Sequence, residues 1–327
     1  MNECKHHRGW ISSGLLLGLV AFAVCGCSSH DEAIQFTEEP WSFRKISGTK
    51  LSTEHFDIHS TLRDHQLQQA LPEFLEAAYD QYSTLLPPPA SGEGKRLQTY
   101  VLNDRSQWDL YARTNFPGQY PVFRKISAGG FAVGNECVVY YIQRTYTLSV
   151  LAHEGMHQYF ANYFSTRLPA WLNEGLATYC ESYELPSGKA RFTPQRNTFR
   201  LNAMRDAMTT DAVLPLRALL ETDAGRVINQ GRSRLTKTYY AQAWALVCFL
   251  RHGANGKYAD GFQNMLNAIV SGELESAAKV ARIQPSARGK TSYGESVFRA
   301  YITDDLDTLE AEFRDYLFEL VGFSKPQ

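Results

Sequence analysis

The stretch "YTLSVLAHEGMHQYFANYF", residues 146–164, decides how the rest of the chain is read. His153 and His157 stand four residues apart, so on a helix about 40° separates them and both rings can reach one ion. Val150, Met156, Phe160 and Phe164 fall on the same side, which puts the pair on a face that packs into the protein. A partly dry site there strengthens every electrostatic interaction. Glu154 projects about 100° from His153, beside the pair and clear of the ion's position. That placement suits a general base acting on a water held between the residues. Catalytic zinc usually keeps three protein ligands and leaves one position for water, so two histidines are incomplete.

Glu174 supplies the third group, 17 residues after His157, in "LPAWLNEGLATY" (168–179). Pro169 is tolerated in a helical first turn and Gly175 permits close packing, so a second helix carries the carboxylate. Glu181 and Glu184 are within range but have no motif around them, and no third histidine extends the HExxH pattern. A lone HExxH is short enough to arise by chance in a chain with nine histidines, which would then be ordinary surface or core residues. The second motif is what makes Zn2+ the better reading.

"HEGMH" (153–157) together with "WLNEGLATY" (171–179) resembles the paired helices of gluzincin metallopeptidases, the thermolysin-like and aminopeptidase N-like enzymes. It is similar to the peptidase MA-like family of bacterial lipoproteins, which pairs HExxH with WLxEGLA. The resemblance covers about residues 125–252. It implies an α+β fold with a zincin catalytic core, zinc held by His153, His157 and Glu174, Glu154 as the catalytic base, and peptide-bond hydrolysis. "TYYAQAWALVCFL" (238–250) resembles the YEKGA helix start of aminopeptidase N-like enzymes, which implies Tyr240, with Tyr239 as its competitor, as hydrogen-bond donor to the oxyanion. In such enzymes the substrate backbone pairs with a sheet edge beside the active helix. "AGGFAVG" (128–134) fits that edge, with Gly130, Phe131 and Ala132 as substrate contacts, although its glycines equally suit a tight turn. Two departures limit the resemblance. The GxMEN strand is absent, only "GNE" (134–136) being present, so Glu136 is not carried over and aminopeptidase activity is not implied. Thr178 stands where the thermolysin pattern has an acidic residue that orients a histidine.

Outward from these helices the chain divides in three. Residues 1–27 have the parts of an export signal: Lys5 and Arg8, the apolar run "ISSGLLLGLVAFAV" (11–24), then "CGCSS" (25–29). The run is short for a membrane span. "VCGC" (24–27) resembles a bacterial lipobox, which implies a lipid on Cys27 and attachment to the membrane; a plain cleaved signal is the alternative. Removing residues 1–26 deletes Lys5, Arg8 and Glu3 and leaves 31 basic against 33 acidic residues. Residues 28–47 mix acidic and aromatic side chains without a period and are expected to be a tether. Residues 48–327 form the peptidase domain, with an α/β part over 48–165 and a mainly helical part over 166–327.

Within the first part, "STEHFDIHST" and "RLQTYVLN" alternate as strands, "GGFAVGNECVVYYIQ" reads as a hairpin turning at Gly134 and Asn135, and Asp104 or Ser106 caps a helix. Helical periods follow in "PAWLNEGLATYCESYE", "FRLNAMRDAMTT", "YYAQAWALVCFLRHG" and "DLDTLEAEFRDYLFEL". A 327-residue chain that is 44% hydrophobic has ample material for a core, and a net charge of −1 without a basic run excludes a nucleic-acid footprint. Cys137, Cys180 and Cys248 have no motif spacing and are expected as buried apolar residues, export leaving room for one disulfide. The expected function is a cell-envelope zinc peptidase acting on a peptide or protein. Its rivals are a binding or assembly lipoprotein without turnover, and a zinc hydrolase of a non-peptide substrate.

Overall fold

A computed structural model of the chain describes residues 34–90, 95–126, 129–222, 233–283 and 291–324. The export signal, Cys27 and the first part of the expected tether lie outside the described residues. Six strands form one mixed sheet: β1 (Thr37–Phe43), β2 (Ile46–Ser52), β3 (Phe56–Ser60), β4 (Leu97–Leu102), β5 (Gly130–Val133) and β6 (Glu136–Tyr140). Their order is β1-β2-β3-β4-β6-β5. β1 to β3 pair antiparallel, β3, β4 and β6 run parallel, and β5 returns antiparallel on β6, which leaves β5 at the sheet's edge.

Strict alternation sorts β6 between two layers. Cys137 and Val139 face one core with α1 (His65–Leu85) and α4 (Arg144–Tyr163). Val138 and Tyr140 face a smaller aromatic core with α2 (Arg105–Asn115) and α3 (Tyr120–Phe123), where Trp108 donates its indole N–H to the Val138 carbonyl at 3.0 Å. Asp104 caps α2 by accepting from the Ser106 and Gln107 amides. The hairpin turns at Gly134, whose φ of 56° suits glycine at the first centre of a two-residue turn.

Past the first half the chain is mainly helical: α5 (Ala170–Tyr179), α6 (Thr198–Thr209), α7 (Leu216–Glu221), α8 (Ser233–His252), α9 (Ala259–Ser271), α10 (Leu274–Ile283), α11 (Tyr293–Tyr301) and α12 (Leu306–Val321). A small ribbon, β7 (Tyr183–Glu184) with β8 (Arg191–Phe192), interrupts them. The α+β arrangement, sheet first and helices after, is the one expected.

Two boundaries need correction. Residues 37–47 are not tether: β1 and the start of β2 occupy them. Pro40 removes a ladder donor, which only an edge strand tolerates, and β1 is the outer edge. Its hold comes from Trp41 against the His59 and Tyr100 rings, at 5.0 and 6.0 Å, and from Phe43 against Tyr111 at 5.0 Å. The helix expected through residue 184 ends at Tyr179, and Tyr183 and Glu184 form β7 instead. Cys137, Cys180 and Cys248 are buried and free.

The helix that carries both histidines is fixed by polar struts as well as packing. At its start Arg144 grips Asp64, the N-cap of α1, through Nε at 2.5 Å and Nη2 at 2.8 Å. Tyr82 of α1 donates to the Ala152 carbonyl at 2.8 Å, and Tyr159 of α4 donates to the Leu86 carbonyl at 2.6 Å. Gln158, fully buried, donates to the carbonyls of Gln98 and Asn135 at 2.9 and 2.8 Å. One side chain thus holds β4 and the β5–β6 turn at a set position along α4. On the other side, α5 lies close on α8 because Gly175 has no side chain: a Cβ there would sit 2.7 Å from Val247 Cγ2 and 3.0 Å from the Ala243 carbonyl oxygen.

Gly155 makes the same demand between α4 and α1. A Cβ at that position would meet Tyr82 Oη at 2.5 Å. Gly155→Ala is expected to destabilise the fold by about 1–3 kcal/mol in urea unfolding, the usual cost of overpacking. The penalty should shrink in a Tyr82→Phe background, where the clashing oxygen is gone.

Candidate metal centre

His153 and His157, one turn apart on α4, and Glu174 on α5 point their ligand atoms at one spot. The Nε2 atoms of the two rings are 3.3 Å apart, and Glu174 Oε2 lies 3.5 Å from each. A tetrahedral ion with bonds of about 2.0–2.1 Å sets its ligand atoms about 3.3–3.4 Å apart. The triangle therefore has the dimensions that one zinc ion requires, and among the described residues it is the one group of three such side chains that could hold a metal.

The remaining hydrogen bonds fix which atoms are offered. His153 Nδ1–H donates to Glu181 Oε1 at 2.8 Å, and His157 Nδ1–H donates to Asn173 Oδ1 at 3.3 Å. Each neutral ring then turns an Nε2 lone pair inward, toward the other ring and toward a carboxylate. Glu174 Oε2 is buried without a hydrogen-bond partner. Three acceptors facing one another without a donor repel unless a cation lies between them. Burial opposes charge on His153, but Glu174 and Glu181 outweigh it and push the ring up to about 10 when no metal is present. For Glu174 burial is likewise overcome, by His157 and His153, and its carboxyl is held far below the usual range. The spot demands positive charge, and a divalent ion fits both the demand and the distances.

Glu181 is the group that the sequence reading set aside, and it takes the orienting role left open by Thr178. Arg200 of α6 holds it with Nε at 2.8 Å and Nη2 at 2.5 Å, and Asn197 adds a third bond at 2.9 Å. Burial favours its neutral form, yet Arg200 and His153 keep it at about 2, a carboxylate at all ordinary pH. Thr178 instead donates to the carbonyls of Glu174 and Gly175. Glu181 lies two residues past the end of α5, and neither it nor Asn173, next to Glu174, carried a signal in the sequence.

Glu154 lies beside the triad and lines the same cleft, of about 530 Å³. Burial raises its carboxyl above the usual range, an effect that His153 and His157 partly offset. Gly130 of β5 fits against it: a Cβ there would lie 3.2 Å from Glu154 Cγ and 2.7 Å from Val138 O. Tyr240, from the second turn of α8, also lines the cleft, its ring 5.9 Å from that of His153 and 5.3 Å from the Arg200 guanidinium. Burial and the nearby Glu174 and Glu154 carboxylates raise its phenol well above 10, so it stays a donor. Tyr239 is fully buried and donates to the Thr222 carbonyl at 3.3 Å, away from the cleft.

Gly130, Phe131 and Ala132 all border the cleft. Their side chains divide as strand alternation requires, with the Phe131 ring stacked on Phe123 at 4.0 Å in the aromatic core. A two-residue turn makes Val133 and Glu136 a hydrogen-bonded pair, which leaves the backbone groups of Gly130 and Ala132 aimed off the outer edge. Glu136 is not a cleft residue and accepts from Tyr111 Oη at 2.8 Å.

A family model described as "Protein of unknown function (DUF1570)" matches residues 147–268, a span that includes the triad, Glu154, Glu181, Arg200 and Tyr240. No curated protein matches the chain.

Glu174→Ala is expected to abolish stoichiometric zinc binding, read by metal analysis after dialysis. Glu181→Gln keeps the shape but not the charge behind His153, and should weaken zinc by about 10–100-fold in a competition titration with a chromophoric chelator. Zinc affinity unchanged in Glu181→Gln would show that the carboxylate does not support the ligand.

Proposed function

We propose that the protein is a zinc-dependent hydrolase of the gluzincin type, with a zincin core, and that its substrate is a peptide or protein in the bacterial cell envelope. The observation that carries this reading is the triangle of His153, His157 and Glu174 at zinc dimensions, with an unpaired carboxylate, Glu154, beside it in an open cleft. The leader and Cys27 motif support export and a lipid tether. A bound zinc would supply Lewis acidity toward a water and toward the substrate carbonyl.

The chain's own groups do the rest. Glu154 accepts the proton of the attacking water and passes it to the departing amine nitrogen. Tyr240 donates its phenolic hydrogen to the carbonyl oxygen as that oxygen gains charge. The edge-facing backbone groups of Gly130 and Ala132 receive the substrate as an added strand and set the scissile carbonyl over the triad. Glu181 holds the His153 ring and Asn173 the His157 ring, so the ligands need no rearrangement during turnover.

Glu154→Gln should retain zinc at wild-type stoichiometry and lose peptide hydrolysis by several orders of magnitude, and survival of activity would overturn the mechanism. Tyr240→Phe should lower kcat by about 10²–10³-fold with KM nearly unchanged, the pattern of a group that acts on the transition state. A peptide-library assay with and without chelator provides both readings. Chelator-sensitive binding without cleavage of any peptide would favour a binding lipoprotein.

A further inference from the structure

The cleft is lined by acceptors, apolar groups and two carboxylates, and among the described residues it has one lining cation outside the histidines: Arg167. This residue lies in the short connection between α4 and α5, ten residues after His157 and seven before Glu174. The connection is held on three sides. Thr166 Oγ1 donates to the Ile269 carbonyl of α9 at 3.2 Å, the Arg167 amide donates to Glu275 of α10 at 3.3 Å, and Tyr293 of α11 donates to the Arg167 carbonyl at 2.5 Å.

The guanidinium itself is propped over the Tyr293 ring at 5.2 Å and is exposed. No carboxylate of the described residues lies within ion-pair distance of it. Arg200, beside Tyr240 and behind His153, is by contrast paired with Glu181. An arginine stacked on an aromatic ring keeps its planar fork of donors free for a carboxylate and loses little freedom on binding one.

We infer that Arg167 is a specificity-determining residue that selects substrates with a carboxylate close to the scissile bond. The inference rests on the peptidase reading of the same site. Arg167 and the triad line the same cleft, so the selected carboxylate belongs to a residue close to the bond cleaved. An acidic side chain and a chain-terminal carboxylate offer the same chemistry, and a fixed cation in this position takes either.

The test uses the zinc-loaded full chain and a set of fluorescent peptides: neutral with an amidated end, neutral with a free acid end, and amidated with Glu or Asp at each position near the bond. Binding is read by anisotropy on the Glu154→Gln protein, and kcat and KM on the wild type. Carboxylate peptides should bind more tightly than the neutral amide. Arg167→Gln should raise their KM about tenfold with kcat held, the low end for a charge-assisted hydrogen bond at an exposed site. It should leave the neutral amide unaffected, and Arg167→Lys should restore part of the difference. Whether the free acid or the side-chain series carries the effect identifies the source of the carboxylate. Binding and cleavage indifferent to peptide charge would overturn the role of Arg167 and leave the peptidase reading standing. Carboxylate-dependent binding that Arg167→Gln removes, without cleavage of any peptide, would keep the role and overturn the peptidase reading.

Discussion

Three lone pairs aimed at one point form the constraint on which the site depends. The Nε2 atoms of His153 and His157 and Glu174 Oε2 approach within 3.3–3.5 Å, close enough to repel unless positive charge lies between them. An arrangement of that kind persists only if its surroundings hold it. Those surroundings are charged too. Arg200 fixes Glu181, and Glu181 fixes His153 in the tautomer that turns Nε2 inward. Losing either partner would leave an uncompensated buried charge, which is far costlier than never having placed the pair.

The scaffold converts that local demand into a working geometry. α4 is held to α1 by Arg144, Tyr82 and Tyr159, and to the sheet by Gln158, so its rings cannot slide relative to the β5 edge. α5 reaches the same spot because Gly175 lets it lie directly on α8. That contact also brings Tyr240 beside His153. The glycines at 130, 155 and 175 share a physical cause: each marks a backbone approach that a single methyl group would prevent. On the proposed reading, base, donor, ligands and substrate edge are held by separate elements and meet because those approaches are close.

Much of this was legible in the sequence. The spacing of four between His153 and His157 defines a shared face, and "WLNEG" announced a second helix with a carboxylate. The hairpin at Gly134 and the cap at Asp104 followed from turn and capping chemistry. What was not legible depended on partners distant in the chain. Glu181 has meaning only once Arg200, 19 residues on, folds back against it. β1 looked like a tether because its residues are mostly exposed and include Pro40, and it is a strand because β2 offers it a ladder. The roles of Gln158 and Tyr82 are of the same kind, since a hydrogen bond to a remote carbonyl leaves no periodic trace.

On the proposed reading, the triad of α4 and α5 is a zinc site with nitrogen and oxygen ligands. X-ray absorption at the zinc edge on protein carrying one equivalent of metal tests it most directly. Two imidazoles and oxygen ligands at about 2.0–2.1 Å, lost in Glu174→Ala, are the expected result. Sulfur scattering near 2.3 Å, or a ligand shell unchanged by that substitution, would place the metal elsewhere and contradict the claim.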